Sequence, residues 1–215
     1  MELVFYEDGF LTKTLDTHEE FEAAYRLRHE VFSRELKWVP CSPDGLEVDP
    51  YDSFAQCIGV FDSGFKLMGH ARLIKSPNPF MVEKEFAHLV QEGTALEKGA
   101  DVAEVTRLCV GREGRFTGVS NLLYKGIYQW SLFNGVRHLV MVVEKKYYRL
   151  LRLNGFPVRP AYSFLTMPDG VKAAVITLDW REFEELASKK RPGLLAWISK
   201  LPDRRPSRSR LHGLY

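Results

Sequence analysis

The sequence lacks the features that would place it in an oxidising compartment, in a membrane or on a nucleic acid. Its three cysteines, Cys41, Cys57 and Cys109, are an odd number without a CxxC pair. They read as free thiols, which excludes a disulfide framework and a thiolate zinc site. His18, His29, His70, His88, His138 and His212 are scattered without metal-ligand spacing, so no metal is expected. No apolar run is long enough to cross a bilayer, and the N-terminus shows no signal-peptide pattern, so the expected location is cytoplasmic, without stable membrane insertion. A net charge of +2 on 215 residues gives no argument for nucleic acid. No internal repeat is visible. A chain of this length buries a substantial core. The expected division is one domain over 1–188 and a basic tail over 189–215, where Lys, Arg, Pro and Ser accumulate around the apolar patch Leu194–Ile198. That tail is expected to be mobile.

The chain itself alternates short strand and helix signals. Glu2–Tyr6 is a strand candidate ended by Glu7-Asp8-Gly9, and a helix follows, opened by Thr17 with Glu20 three residues on, a capping-box pattern. Ala55–Phe61 and Lys66–Ile74 read as a hairpin about Asp62-Ser63-Gly64. A short helix is expected near Val82–Val90 and a strand over Asp101–Val110. A helix from Val119 to Asn134 closes at Gly135, and a buried strand follows at His138–Val143. The next helix ends in Asn154-Gly155-Phe156. Tyr162–Thr166 and Val171–Leu178 pair about Pro168-Asp169-Gly170, and a last helix starts at Asp179.

The stretch Tyr25 to Asp52 organises the rest. Phe21, Tyr25, Arg28 and Phe32 share one helical stripe, and three of the four are aromatic. Arg28 therefore sits on a core-facing seam, where an unpaired guanidinium is very costly. Asp49 and Asp52 could each supply its carboxylate. The competing reading is a surface helix whose Arg reaches water, with the aspartates as turn residues. Arg72 falls within a strand and shares a face with His70, which is read as a packing histidine. Glu104 and Arg107 lie three apart in one strand, so strict alternation points them to opposite faces, and a β-bulge is expected to bring both to one side.

The segments RHEVFSRELKW, EVDPYD, GHARL and EVTRLCV, in this order over roughly residues 20–180, resemble signature blocks of the acyl-homoserine-lactone synthases of bacterial quorum sensing. Arg115-x-x-Gly118-x-Ser120 resembles the phosphate-binding turn of GNAT acyltransferases, with Ser120 a mild departure; a plain helix N-terminus is its rival. The resemblance implies an α/β three-layer α-β-α sandwich of GNAT type, its mostly antiparallel central sheet splayed in the middle.

It also implies two substrates and no cofactor: S-adenosylmethionine, and an acyl group on acyl carrier protein or coenzyme A, in a monomeric bacterial enzyme. Glu104 would be the base, with Asp49, Asp52 and Arg72 in the catalytic cluster. Arg28, Phe32, Trp38 and Arg107 would hold S-adenosylmethionine. Arg115, Gly118 and Ser120 would hold the acyl donor, as would the basic helical stripe Lys145, Arg149 and Arg152. Met141, Val143 and Phe164 would line the acyl pocket. Two alternatives remain open at this level: an N-acyl amino acid synthase or exosortase-associated acyltransferase that forms no lactone, and a non-catalytic binding module on the same scaffold.

Overall fold

The computed structural model describes residues 3–91 and 98–200. Strands β1 (Val4–Glu7) and β2 (Phe10–Thr14) form a tight hairpin. Its turn residues Asp8 and Gly9 have φ of 52° and 84°, the paired left-handed conformation that lets a two-residue turn follow strand twist. The sequence reading passed from this turn straight to a helix and so omitted β2. Helix α1 (His18–Arg28) starts where the Thr17 hydroxyl accepts the Glu20 N–H, and runs on as wider π-type turns over His29–Glu35.

Strands β3 (Gln56–Phe61), β4 (Leu67–Lys75) and β5 (Val102–Val110) follow. The helix expected near 82–90 is instead two single 3₁₀ turns, Met81–Glu83 and Ala87–Leu89. Next come α2 (Val119–Phe133), β6 (His138–Glu144), α3 (Lys145–Leu153), β7 (Arg159–Pro160), β8 (Leu165–Thr166) and β9 (Lys172–Asp179). Helices α4 (Trp180–Lys190) and α5 (Pro192–Ser199) close the described chain.

The strands form one sheet in the order β1-β2-β3-β4-β5-β6-β9-β7, with β8 also paired to β9. Helices cover both faces. Ile58 and Val60 pack with α2 residues such as Leu123 and Ile127, whereas their neighbours Cys57 and Phe61 pack with Ala24 of α1. This alternation along β3 separates the two helical layers. The three-layer α/β class with a mostly antiparallel sheet is therefore the architecture of the chain.

Two irregularities shape the middle of the sheet. Among the described residues, strands β5 and β6 are the one parallel pair, matched only over Val102–Glu104 and His138–Val140, and the pairing ends there. On its other side, β5 slips register against β4: His70 faces Cys109 while Arg72 faces Thr106, so Arg107 and Leu108 together oppose Ala71. Arg107 sits in the extra space with φ 51°. This is the bulge that the Glu104/Arg107 spacing required.

The expected tail differs from the structure over its first part. Residues 192–199 form α5, whose Ile198 is buried against α2. Trp197 Nε1 donates to Glu7 at 2.6 Å, and Gln129 Nε2 donates to the Ile198 carbonyl at 2.6 Å. The apolar patch Leu194–Ile198 supplies the contact that the surrounding basic composition masked. The remainder of the expected tail, 201–215, lies outside the described residues. Among those residues, no helix is long and apolar enough to cross a membrane.

Candidate active site

Six charged side chains from four segments converge on the α1 face of the sheet. Arg28, at the end of α1, donates from Nε to Glu47, and from Nη1 and Nη2 to Asp52 at 2.6 and 3.2 Å. Arg72, in β4, donates from Nη1 to Asp49 and Asp52 at 2.6 and 2.7 Å, from Nη2 to Asp49 at 2.9 Å, and from Nε to the Thr106 hydroxyl at 2.9 Å. Arg107, lifted out by the bulge, donates from Nη2 to Glu47 at 2.8 Å and to Asp49 at 3.0 Å. Three guanidiniums face three carboxylates, so the network balances its own charge. Such a cluster is costly to desolvate and survives only because each member is paired.

The aspartates also serve the local turn. Asp49 accepts the Tyr51 N–H at 2.9 Å, while Asp52 accepts the Asp49 N–H at 2.8 Å, which caps the 3₁₀ turn Pro50–Ser53. Both readings of these residues are therefore correct at once, since carboxylates accept several donors. Glu47 was not singled out from the sequence, yet it bridges Arg28 and Arg107. Its spacing of two from Asp49 in an extended segment was the available signal: alternate residues share a face.

Exposure sorts the members. Arg28 and Arg72 have no exposed surface, whereas Arg107 and Asp49 keep 14% and 15% of their side chains accessible. The expected direct grip of Arg28 on a substrate is thus closed off, because its donors are spent on Glu47 and Asp52. Arg28 and Arg72 are positioned as supports that aim Asp49, Asp52 and Glu47. Despite the desolvation that opposes it, the Arg28 hydrogen bond holds Asp52 below the usual carboxylate range, and Arg107 and Arg28 do the same for Glu47.

Glu104 lies on the same side of the bulged strand. Its two oxygens accept the N–H groups of Met81 and Val82 at 2.6 and 2.9 Å, pinning the first turn after Phe80. Burial pushes its carboxyl up to about 7, against the pull of those two N–H groups and of Arg72. His70 is buried with Nδ1 at 3.1 Å from the Arg107 carbonyl, and burial drives it down to about 3, so it stays neutral beside the arginines. Burial also pushes the Cys57 and Cys109 thiols up to about 12, which leaves them poor nucleophiles.

A cavity of about 290 Å³ fills the gap where β5 and β6 part. On the α1 side its wall includes Phe32, Trp38 and Arg107; on the α2 side it includes Tyr124, Ile127, Tyr147, Phe156 and Trp180. The space therefore passes through the sheet, from the open edge of the ion network into an apolar and aromatic interior. Phe32 and Trp38 stack with ring centroids 6.2 Å apart, and the Arg107 guanidinium lies 5.7 Å from the Phe32 ring. Trp38 is 45% exposed, which makes it part of the rim rather than a core anchor.

Met141 and Val143 are in the wall of this cavity, whereas Phe164 is not. It precedes the two-residue β8, packs edge-on to Tyr148 at 5.4 Å and lies beside Lys145. The exposed β8 pairs only with Lys172 and Ala173 at the start of β9, and periodicity places Phe164 near a strand without revealing which neighbours it packs against.

The residues expected to hold an acyl donor lie in two places. Arg115 is held by Glu35 through two bonds of 2.7 and 2.8 Å, so an incoming phosphate would compete with a carboxylate. Gly118 caps α2 with φ 93°, a conformation that favours glycine, and no side chain caps that helix end. Ser120 is half-buried in the first turn. Lys145, Arg149 and Arg152 are exposed along α3, beside the exposed Leu150 and Leu153.

The autoinducer synthase family profile matches residues 12–184. An acyl-homoserine-lactone synthase of Rhizobium radiobacter is 34% identical over 143 residues, covering 62% of this chain and 66% of its own length. Its counterpart in Agrobacterium fabrum is 30% identical over 162 residues, covering 69% and 76%. Among solved structures, the CoA-dependent acyl-homoserine lactone synthase BjaI with MTA superposes with a TM-score of 0.73 at 20% identity, covering 92% of this chain and 88% of that one.

Proposed function

The chain belongs to the autoinducer synthase family, and from that premise we propose that it makes an acyl-homoserine lactone from S-adenosylmethionine and an acyl thioester. The observation that carries the reading is the union of a charge-balanced Arg–carboxylate network with a cavity that starts at its open edge and crosses the splayed sheet. One end suits a zwitterionic sulfonium amino acid and the other an apolar acyl group.

Two steps follow. The methionine amine, once deprotonated, attacks the thioester carbonyl, the C–S bond breaks and the thiol leaves, giving an amide. The methionine carboxylate then attacks its own γ-carbon, and the sulfonium C–S bond breaks with its electron pair going to methylthioadenosine. Arg107, the accessible guanidinium, holds the carboxylate through Nη1, which among the described residues has only the Met81 sulfur at 3.7 Å, while its Nε and Nη2 stay on Glu47 and Asp49. Asp49 meets the cationic groups beside it. The Phe32–Trp38 stack offers ring faces to the sulfonium or adenine. A sulfonium is already a good leaving group, so orientation supplies most of the second step. Glu104 takes the amine proton through a relay, since it has no exposed surface of its own.

Purified protein given S-adenosylmethionine and a panel of acyl thioesters should release methylthioadenosine in step with thiol. Thiol release without methylthioadenosine would replace this reading by an acyltransferase that forms no lactone.

The α3 stripe fits an acidic acyl carrier protein, which would approach Lys145, Arg149 and Arg152 by charge. Reversing these three to Glu should raise KM for acyl carrier protein donors at least about tenfold, with a flatter salt dependence. An unchanged KM would leave coenzyme A thioesters as the donor.

A further inference from the structure

His70 has no exposed surface, feels the charges of Arg28, Arg72 and Asp52, and is used by neither chemical step. Its Nδ1 lies 3.1 Å from the Arg107 carbonyl oxygen. A carbonyl only accepts, so the ring keeps a proton on Nδ1 and donates it there. Burial drives the imidazole down to about 3, so this neutral form persists at neutral pH. Nε2 is then a bare acceptor, and it has no partner among the described residues. An apolar side chain would fill the same space without burying that orphan. Packing alone therefore does not account for the imidazole.

The carbonyl that His70 holds belongs to the bulge. Thr106 faces the ion network, where its hydroxyl accepts from Arg72 Nε, so a regular strand would turn Arg107 to the opposite face. Instead Arg107 and Leu108 together oppose Ala71, and Arg107 takes φ 51°, a left-handed conformation that bulky side chains avoid. Such a backbone persists only where its surroundings fix it. Two restraints do so here. The Arg107 Nη2 donates to Glu47 and Asp49 at 2.8 and 3.0 Å, which ties down the side chain. His70, paired with Cys109 beyond the register slip, reaches back with its ring and ties down the main chain.

We propose that His70 is a positioning residue: its Nδ1–H bond to the Arg107 carbonyl holds the β5 bulge in the shape that presents Arg107 Nη1 to the substrate carboxylate. This rests on the lactone synthase reading above and adds to it the residue that sets the carboxylate grip. His70 touches no substrate and moves no proton. Without its bond the peptide after Arg107 is free to turn, φ relaxes toward the extended region, and the guanidinium loses its aim.

The test sets S-adenosylmethionine against methylthioadenosine, which lacks the amino acid end and so makes no use of Arg107. Calorimetry measures both affinities in the wild-type protein and in His70→Leu, His70→Gln and His70→Asn, while backbone carbon chemical shifts of Arg107 report its φ. His70→Leu should weaken S-adenosylmethionine binding at least about tenfold, with methylthioadenosine little changed and the Arg107 shifts moved toward extended values. His70→Gln carries its amide one carbon too far out and should lose the same affinity, which keeps the test open if the leucine variant does not fold. His70→Asn places an amide N–H where Nδ1–H was and should recover most of the S-adenosylmethionine affinity. A merely structural role would lower both affinities together and gain nothing from asparagine. Equal loss for the two ligands, an unchanged ratio in both His70→Leu and His70→Gln, or left-handed Arg107 shifts retained in both would overturn the proposal. Wild-type protein that binds neither ligand overturns the lactone reading and this proposal together, whereas wild-type binding with no change in the variants overturns this proposal alone.

Discussion

Replacing Arg72 with Ala should cost about 3–5 kcal/mol of stability and abolish lactone formation together. The side chain has no exposed surface and makes bonds to Asp49, Asp52 and Thr106, so its loss strands two carboxylates away from water. Asp49 would also lose the bidentate partner that fixes its direction beside Arg107. Arg72→Lys separates charge from shape. It restores the cation but not the planar fork, and a point charge cannot hold both aspartates at the observed distances. It should recover part of the stability and little of the turnover. Urea unfolding near neutral pH and methylthioadenosine release check the two effects. A stability change below about 1 kcal/mol for Arg72→Ala would mean the network is better hydrated than its geometry indicates.

The same network shows what could be read before any coordinates. Arg28 on an aromatic stripe pointed to a buried cation, because three-residue and four-residue spacing on a helix leaves few other orientations. Glu104 and Arg107 required a bulge, because a strand has a fixed period of two. The bulge is present, and it brings both toward Met81: Glu104 accepts its N–H, and Arg107 Nη1 lies 3.7 Å from its sulfur. Local periodicity sufficed where one element fixed the geometry. It failed where partners came from distant elements. Glu47 went unnoticed although it lies in the same stretch as Asp49, since nothing local shows that the loop returns to α1, where its N–H donates to the Tyr25 carbonyl at 3.1 Å. Helix α5 was masked in the same way. The sequence around it is basic, and its partners, Glu7 and Gln129, are far away in the chain. Strand β2 was hidden because Thr12, Lys13 and Thr14 dilute its pattern, although the Asp8-Gly9 turn before it is a strong hairpin signal.

Changing Glu104 to Gln should lower kcat by about two orders of magnitude or more and remove the acidic limb of the pH–rate profile. Two roles compete for this residue. As proton acceptor it must be ionised, and a carboxyl raised from 4.5 to about 7 gives a rate that climbs with pH up to that value. As a clamp it only holds the Met81 and Val82 amides, and its loss would slow turnover without altering the shape of the profile. Stability adds an independent readout. Between pH 4.5 and about 7 the folded chain keeps this proton while the unfolded chain has released it. The unfolded state then binds fewer protons, so stability falls as pH rises through that window, by up to roughly 3 kcal/mol. Glu47 and Asp52 work in the opposite sense at lower pH. Their arginines depress them, so their stabilisation is present above the unfolded values of 4.5 and 3.8 and is lost on acidification. Stability should therefore peak in mild acid and decline toward neutrality. In Glu104→Gln that decline should flatten, even though one of the two amides loses its acceptor. A flattened stability curve with the acidic limb intact would assign Glu104 to positioning and leave the proton acceptor elsewhere. Loss of both together marks it as the group whose burial tunes the amine for attack.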